Sequence, residues 1–347
     1  MITTLEAVGA AAICLVGLSV VYAILEFLLA MIPAVVTLEG KAVVVTGCDT
    51  GIGRVIALHL AMQRKAKVFA GCLTEEGSEE LSVESKGKIS TFIVDVTSDR
   101  SVSVALDFVA RHLEGRPLFA VINNAGVGRG FLVEATGMDD YYSNINVNFL
   151  GLVRVTKAFL PMLVVGKGRI VNITSSATLL AGPTMSPYAA SKYAAAAFSD
   201  SMRRELHCQG VKVVQIAPGI INTRMPIAAQ QQMKELFHNM DAEVQERYGG
   251  TKWVDRLVQQ NIRGLKAMSK AEIVLPSVLA ALMSRYPKGI LQPQEGTEDL
   301  KHPDAGYSAD TINDAMLIPP SHWLLEWHVH REILRHIEWA KILARIV

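Results

Sequence analysis

From Lys41 onward, short continuous apolar runs alternate with stretches of helical period, and this alternation restricts the fold more than any other feature of the chain. Residues 42–45, 67–70, 89–94, 119–122, 169–173 and 211–216 are rich in β-branched side chains. Such unbroken runs read as strands covered on both faces rather than strands with one wet side. Between them, residues 54–62, 102–113, 148–163 and 188–206 have helical periodicity. Buried strands separated by helices predict a doubly wound α/β architecture around a parallel sheet, with ligands bound beyond the carboxyl ends of the strands. After Gly219 the sequence turns rich in Gln, Met and charge and keeps a helical period to about residue 285. Within it, residues 225–268 read either as amphipathic helices over a site or as a plain packing layer.

The first 37 residues are of another kind. Residues 8–36 are apolar except for Ser19, Tyr22 and Glu26, and exceed the roughly 20 residues a bilayer-spanning helix needs. A cleaved signal peptide would carry a basic start and a shorter apolar stretch, whereas Glu6 and no cation precede Val8. A core helix is seldom apolar on every face. The expectation is a retained single-pass anchor, ended near Pro33. Lys41 and Arg54 follow it and no cation precedes it, which places the globular part on the cytosolic side. At the other end, residues 296–347 form an extension in which Trp323, Trp327, Leu334 and Ile337 recur at helical spacing among Arg331, Arg335, Lys341 and Arg345. That pattern suits a helix at a membrane interface or on a second subunit. His322, His328, His330 and His336 lack a carboxylate set and read as polar groups rather than metal ligands.

Net charge is +1 with no basic stripe, which argues against a nucleic-acid partner. Cys14, Cys48, Cys72 and Cys208 have no CxxC or ligand spacing, so neither a disulfide framework nor a zinc site is expected, and a reducing compartment is the simpler reading.

Chemistry concentrates at the ends of the expected strands. The first runs into Thr46-Gly47-Cys48-Asp49-Thr50-Gly51-Ile52-Gly53 and then into a helix. Glycines there let backbone N–H groups approach a pyrophosphate, although glycine pairs also serve plain turns. Asp95-Val96 follows the third strand, where a carboxylate can hold an adenine amino group or cap a helix. Asn123-Asn124-Ala125-Gly126 ends the fourth, as a site or a turn. Tyr188 and Lys192 stand one helical turn apart and share a face, with Ser175 at the end of the preceding strand.

Together these pieces resemble the short-chain dehydrogenase/reductase family over roughly residues 41–223. The matching residues are Thr46, Gly47, Gly51 and Gly53, then Asn123 to Gly126, Asn148, Ser175, Tyr188 to Lys192, and Pro218-Gly219. The resemblance implies a Rossmann fold in one domain, residues 38–295, and hydride transfer between a nicotinamide dinucleotide and an alcohol or ketone. Under it, Tyr188 is the general acid/base, since a phenol of pKa about 10 needs nearby positive charge to lose its proton. Lys192 supplies that charge and holds the nicotinamide ribose. Ser175, rather than neighbouring Ser176, hydrogen-bonds the substrate oxygen, and Asn148 supports a water linking Lys192 to solvent. The cofactor is expected on Thr46, Gly47, Asp49, Gly51, Ile52, Gly53, Asp95, Val96, Asn124, Ala125, Gly126, Tyr188, Lys192, Pro218 and Gly219, with Thr223 gripping the carboxamide. Residues 71–76 offer no cation for a 2′-phosphate but include Glu75 and Glu76, and Asp49 adds negative charge, which favours NAD over NADP.

Residues 46–49 and 68–74 and the stretch Glu246-Arg247-Tyr248-Gly249 look like the membrane-associated branch of retinol, hydroxysteroid and 3-hydroxybutyrate dehydrogenases. An apolar steroid or retinoid substrate, an endoplasmic-reticulum or alternatively mitochondrial membrane, and a homodimer through the crossover helices are what this resemblance implies. A hydroxy-acid dehydrogenase and a catalytically silent lipid- or partner-binding protein are the alternatives. The chain departs from the branch after Tyr286, where residues 287–306 read as a polar insert.

Overall fold

The computed structural model describes residues 17, 18, 20, 21, 35–179, 181–266 and 269–293. The run Ala-Val-Val-Val-Thr forms β1 (Ala42–Thr46), buried at every position. It is followed by β2 (Lys67–Cys72), β3 (Ile89–Ile93), β4 (Leu118–Asn123), β5 (Arg169–Ile173), β6 (Lys212–Ile216) and a short β7 (Ile290–Leu291). Among the described residues these make one sheet in the order β3-β2-β1-β4-β5-β6-β7, with every pairing parallel.

Each parallel pair needs a crossover, and helices supply it. They are α1 (Gly51–Met62), α2 (Glu75–Glu84), α3 (Asp99–His112), α4 (Met138–Ile145), α5 (Leu152–Gly166), α6 (Ser186–Glu205), α7 (Arg224–His238), α8 (Ala242–Arg247), α9 (Gly250–Lys266) and α10 (Leu275–Met283). A π-helical turn, Asn146–Gly151, joins α4 to α5. Thr74 and Ser98 start α2 and α3 by accepting the N–H of Gly77 and Ser101. On one face Val44, Phe69, Val121 and Ile170 of the sheet share a core with Val109 of α3 and Val155 and Phe159 of α5. Ile56 and Leu60 of α1 and Val278 and Leu279 of α10 are equally buried.

Among the described residues one stretch, Met138–Gly166, is long and apolar enough to cross a bilayer. It is the crossover through α4 and α5, with Val155, Phe159 and Leu163 buried, and it packs on β4. A core helix explains it. Residues 17, 18, 20 and 21 of the expected anchor are helical and exposed. The rest of that anchor up to residue 34 and the C-terminal extension with its tryptophans lie outside the described residues. The chain joins the sheet domain at Val35, which bridges to Ser284, and Val36, whose N–H donates to the Met283 carbonyl at 2.8 Å.

One expectation needs correction. The stretch read as a polar insert from Pro287 begins with β7, which covers the outer edge of β6: Gln215 N–H donates to Gly289 and Ala217 N–H to Leu291. An open edge leaves unpaired backbone groups, and two residues suffice to cover this one. Two residues are too few to show a period.

Candidate active site

The carboxyl ends of β1 and β4 are stapled together. Thr46 Oγ1 accepts the N–H groups of Asn124 and Ala125, both at 3.1 Å, while Asn124 Nδ2 donates to the carbonyls of Thr46 and Gly47, both at 3.0 Å. The glycine turn fits against this staple with no room for side chains. A Cβ on Gly53 would lie 2.3 Å from the Gly47 carbonyl oxygen, and one on Gly47 2.8 Å from Ala125 Cα. Gly51, at φ +63°, faces outward, and its nearest neighbour would be Thr223 Cγ2 at 3.4 Å. Ile52 follows it in the first turn of α1, and Thr50 caps that helix without a side-chain hydrogen bond. A cleft of about 400 Å³ opens here between Thr50, Gly51 and Arg54 on one side and Asn222, Thr223 and Arg224 on the other. Close-packed glycines and uncapped N–H groups beside an open cleft fit the pyrophosphate of a dinucleotide.

The structure moves the acidic group at the end of β2. Glu75 and Glu76 lie exposed in the first turn of α2, which begins three residues beyond Cys72. Asp49 takes that place: its Oδ2 accepts Leu73 N–H at 2.9 Å, and its Oδ1 accepts Thr74 N–H at 2.9 Å and Thr74 Oγ1–H at 2.8 Å. Arg54 is the nearby cation that the reading of residues 71–76 overlooked. It is held by Glu80 at 3.1 Å, Glu84 at 2.7 Å and the Asp49 carbonyl at 3.0 Å. Cys48 and Cys72 are buried beside Asp49, and burial, reinforced by that carboxylate, pushes the Cys72 thiol up to about 12 and holds Cys48 well above its ordinary value. Asp95 Oδ1 accepts Thr97 N–H at 2.8 Å and Thr97 Oγ1–H at 2.7 Å, a turn built after β3. Val96 is buried against Gly151, whose Cβ would lie 2.7 Å from it.

Asn148 and Lys192 come together around Gly126, and Tyr188 lies against Lys192 and Ser175. A Cβ on Gly126 would meet Asn148 Oδ1 at 3.2 Å and Lys192 Nζ at 3.6 Å. Lys192 is buried in α6; its Nζ donates to the Ile173 carbonyl at 3.0 Å and lies 5.8 Å from the centre of the Tyr188 ring. Burial lowers its pKa to about 8. Burial also raises the Tyr188 phenol, while a hydrogen bond with the Ser175 side chain works in the opposite direction. Ser176 instead opens a 3-10 turn and gives its N–H to the Pro218 carbonyl at 2.7 Å. Asn148 sits in the π turn. Its Oδ1 accepts Val127 N–H at 2.8 Å, and its Nδ2 donates to the Val127 carbonyl at 2.8 Å and to Ser191 Oγ at 2.9 Å. Ser191 passes the contact on to the Tyr188 carbonyl at 2.7 Å.

The shifted lysine has a consequence for stability. A lysine of ordinary pKa 10.5 in the unfolded chain and about 8 in the folded one leaves the unfolded state holding more protons between those values. Stability therefore rises with pH across that window and is lower below it. Denaturation midpoints at about pH 7.5 and about pH 9.5 are expected to differ in this sense, and less so in Lys192→Met. An unchanged pH dependence in the variant would mean that Lys192 does not carry it.

Several contacts around the site leave no signal in the sequence. Asn123 Nδ2 donates to Thr156 Oγ1 at 3.0 Å and Asn172 Oδ1 at 2.8 Å, and Asn172 Nδ2 donates to Ser199 Oγ at 2.7 Å. This buried ladder ties β4, β5, α5 and α6 together beneath the site. Above it, Met225 faces Tyr188 across Gly128, whose Cβ would lie 3.5 Å from Met225 Sδ and 3.7 Å from Tyr188 Cδ2. Helices α7 and α9 form a cap with its own core, in which Phe131 packs on Phe237 and Trp253. Gln232 pins the cap: its Oε1 accepts Gly130 N–H at 3.1 Å and its Nε2 donates to Asp140 at 3.0 Å. Arg247 and Tyr248, from the stretch that resembles retinol and steroid enzymes, both bind Glu134, at 2.8 and 2.6 Å.

Among known proteins, the family model described as short chain dehydrogenase matches residues 41–234. The chain is 36% identical over 258 residues to 17-beta-hydroxysteroid dehydrogenase type 6 of Rattus norvegicus, covering 72% of this chain and 80% of that one. It is 37% identical over 218 residues to retinol dehydrogenase 16 of Mus musculus, covering 61% of this chain and 67% of that one. A crystal structure of a short chain dehydrogenase/reductase from Burkholderia phymatum in complex with NAD matches with a TM-score of 0.61 at 20% identity, over 76% of this chain and 92% of that one, and so bears on the fold.

Proposed function

The chain belongs to the short-chain dehydrogenase/reductase family, and from that premise we propose that it interconverts the alcohol and ketone (or aldehyde) of an apolar substrate such as a steroid or retinoid, with NAD(H), at a membrane. It is an NAD(P)-dependent oxidoreductase acting on CH–OH groups. The observation that carries the proposal is the convergence of Ser175 and Lys192 on Tyr188, with Lys192 also facing Gly126 after β4, the strand stapled to the glycine cradle.

When bound, the dinucleotide donates or accepts the hydride. The protein does the rest. Tyr188 holds or takes the proton of the substrate hydroxyl. Ser175, already bonded to that phenol, orients the substrate oxygen and steadies charge on it. Lys192, fixed on the Ile173 carbonyl, presents an ammonium beneath the ring and favours the phenolate. Asn148 has its amide engaged with Val127 and Ser191, so it acts by holding the loop after Gly126 against α6. Met225 and the ring of Tyr188 give the mouth an apolar wall on either side of Gly128.

The preference for NAD rests on Asp49. Its carboxylate at the end of β2 would repel a 2′-phosphate, and Arg54, already paired with Glu80 and Glu84, is poorly placed to offset it. The apolar run 8–36, joined to the sheet domain through Val35, supports membrane residence, with the endoplasmic reticulum first and a mitochondrial membrane second. Pairing into a homodimer through the long fourth and fifth crossover helices, α5 and α6, belongs to the same reading.

The experiment is turnover of the detergent-solubilised full chain, followed through reduced nicotinamide, with NAD or NADP and a panel of steroid, retinoid and 3-hydroxybutyrate alcohols. Turnover of the apolar members is expected, with NAD favoured by about tenfold or more, the equivalent of one like-charge contact of about 1.4 kcal/mol. Asp49→Ser should narrow that ratio. Turnover of 3-hydroxybutyrate alone would defeat the substrate reading, and tighter use of NADP the cofactor reading.

A further inference from the structure

In an all-parallel sheet every strand begins at one edge, opposite the site. Here that edge is cationic. Lys41 precedes β1, Lys67 starts β2, Lys88 precedes β3, Arg116 precedes β4, and Lys212 starts β6. The acids among them are largely engaged: Glu39 lies 3.7 Å from Lys65, and Glu114 lies 3.0 Å from Lys67 and 3.6 Å from Arg116. Glu205, at the end of α6, follows Arg203 and Arg204.

Three more lysines occupy positions that glycine would fill with less strain. Lys65, Lys86 and Lys167, between α1 and β2, α2 and β3, and α5 and β5, have φ of +53°, +54° and +45°, and Glu114, between α3 and β4, has +53°. The equivalent connection from α6 to β6 uses Gly210 at φ +77°. A side chain in this left-handed region is strained where glycine is not. All three lysines are exposed, although the stem of Lys167 lies against Gly210, whose Cβ would come 3.4 Å from it. Cations near helix carboxyl ends recover part of the strain through the helix dipole, but that does not explain the exposed apolar residues beside them. Val83 and Val165, in the last turns of α2 and α5, are 79% and 83% exposed. Tyr286 is 54% exposed, with Lys212 Nζ 5.6 Å and the Arg285 guanidinium 5.9 Å from its ring centre. Lysines interleaved with exposed valines and a tyrosine make the pattern of a surface that rests on lipid headgroups.

We propose that the amino-terminal edge of the sheet lies against an anionic phospholipid surface, with Lys65, Lys86 and Lys167 as contact residues. The proposal deepens the membrane reading above, since the apolar run leads into the domain at this same edge, through Val35 and Val36. The surface charge of the bilayer selects the occupant: each lysine near an anionic leaflet adds to binding, and neutral lipid offers no such gain.

The test is competition. Full chain released from detergent is offered phosphatidylcholine vesicles and phosphatidylcholine/phosphatidylserine vesicles of distinguishable density. Flotation with phosphatidylcholine alone reports on the apolar run; the choice between the two kinds reports on the edge. A preference of about tenfold or more for the anionic vesicles at about 0.1 M salt is expected, fading near 0.5 M. The variant Lys65→Gly, Lys86→Gly, Lys167→Gly should lose most of that preference while melting no lower than the wild type. On anionic vesicles, acetylation of Lys86 and Lys88 should slow several-fold relative to neutral ones, while Lys234 and Lys252 of the cap react equally on both. Equal partition of the wild type, an unaltered preference in the variant, or equal protection on both vesicle kinds, as a protein partner or second copy would give, overturns the proposal.

Discussion

Tyr188→Phe is expected to lower turnover by about a thousandfold while dinucleotide affinity stays within about twofold, the scale of a lost proton-transfer group. The change removes one oxygen and keeps the ring, so the Lys192 contact with the Ile173 carbonyl and the packing of α6 remain. What disappears is the atom bonded to Ser175. Lys192→Met should act differently, weakening both turnover and dinucleotide binding, because it removes a charge beneath the ring and a group that faces Gly126. The pH profile separates the directions of reaction. Burial raises the Tyr188 phenol, so the group carries its proton at neutral pH and is ready to protonate a ketone oxygen. Oxidation needs the phenolate, and its rate should climb as pH rises. Product chromatography and dinucleotide fluorescence measure the two quantities independently; turnover within tenfold of wild type in Tyr188→Phe would place the proton elsewhere.

The second large effect concerns two glycines of one turn that differ in cost. Gly53→Ala puts a methyl 2.3 Å from the Gly47 carbonyl oxygen and 2.5 Å from Asn124 Nδ2. Since the nearer neighbour is backbone, α1 must move off β1 or the staple between β1 and β4 must open. We expect destabilisation of about 3 kcal/mol, the upper end for overpacking, and dinucleotide affinity reduced by about a hundredfold or more. Gly51→Ala meets only Thr223 at 3.4 Å but must hold φ near +63°. Its cost should stay near the strain of one left-handed residue, about 1–2 kcal/mol. Thermal melts and dinucleotide titration of the pair decide the point. If Gly53→Ala is the milder of the two, the cradle is not the close fit described here.

Much of this was legible in the chain because burial on both faces forces continuous apolar runs, as in β1, and because a glycine turn between a strand and a helix leaves a spacing that survives without coordinates. Side-chain identity marked Tyr188, Lys192 and Ser175 for the same reason: each stands at a strand end or a helix start. What stayed hidden depends on approach in space. Asp49 shows in the sequence as negative charge in the glycine turn, but not as the group that reaches the end of β2 to accept Leu73 N–H, 24 residues later. Arg54 escaped because its partners Glu80 and Glu84 lie on the next helix. Asn123 and Asn172 look in the sequence like polar interruptions of strands, and only the register that sets them opposite each other makes them a pair.

That pair also limits how the sheet can be assembled. With β4 and β5 correctly aligned, Asn123 faces Asn172 and the ladder continues to Thr156 and Ser199. A slip of one residue would turn the slipped strand's amide to the other face, among apolar side chains and away from its partner, where an unpaired amide costs several kcal/mol by transfer measures, roughly 2–7. The ladder therefore works as an alignment key as well as a support. Gly126 follows Asn123 by three residues and Ser175 follows Asn172 by three. A slip would carry one past the other by about 3.3 Å, far outside the roughly 0.5 Å within which reacting groups must be held. The amides that let the chain recognise its own register also set the distance at which its chemistry becomes possible.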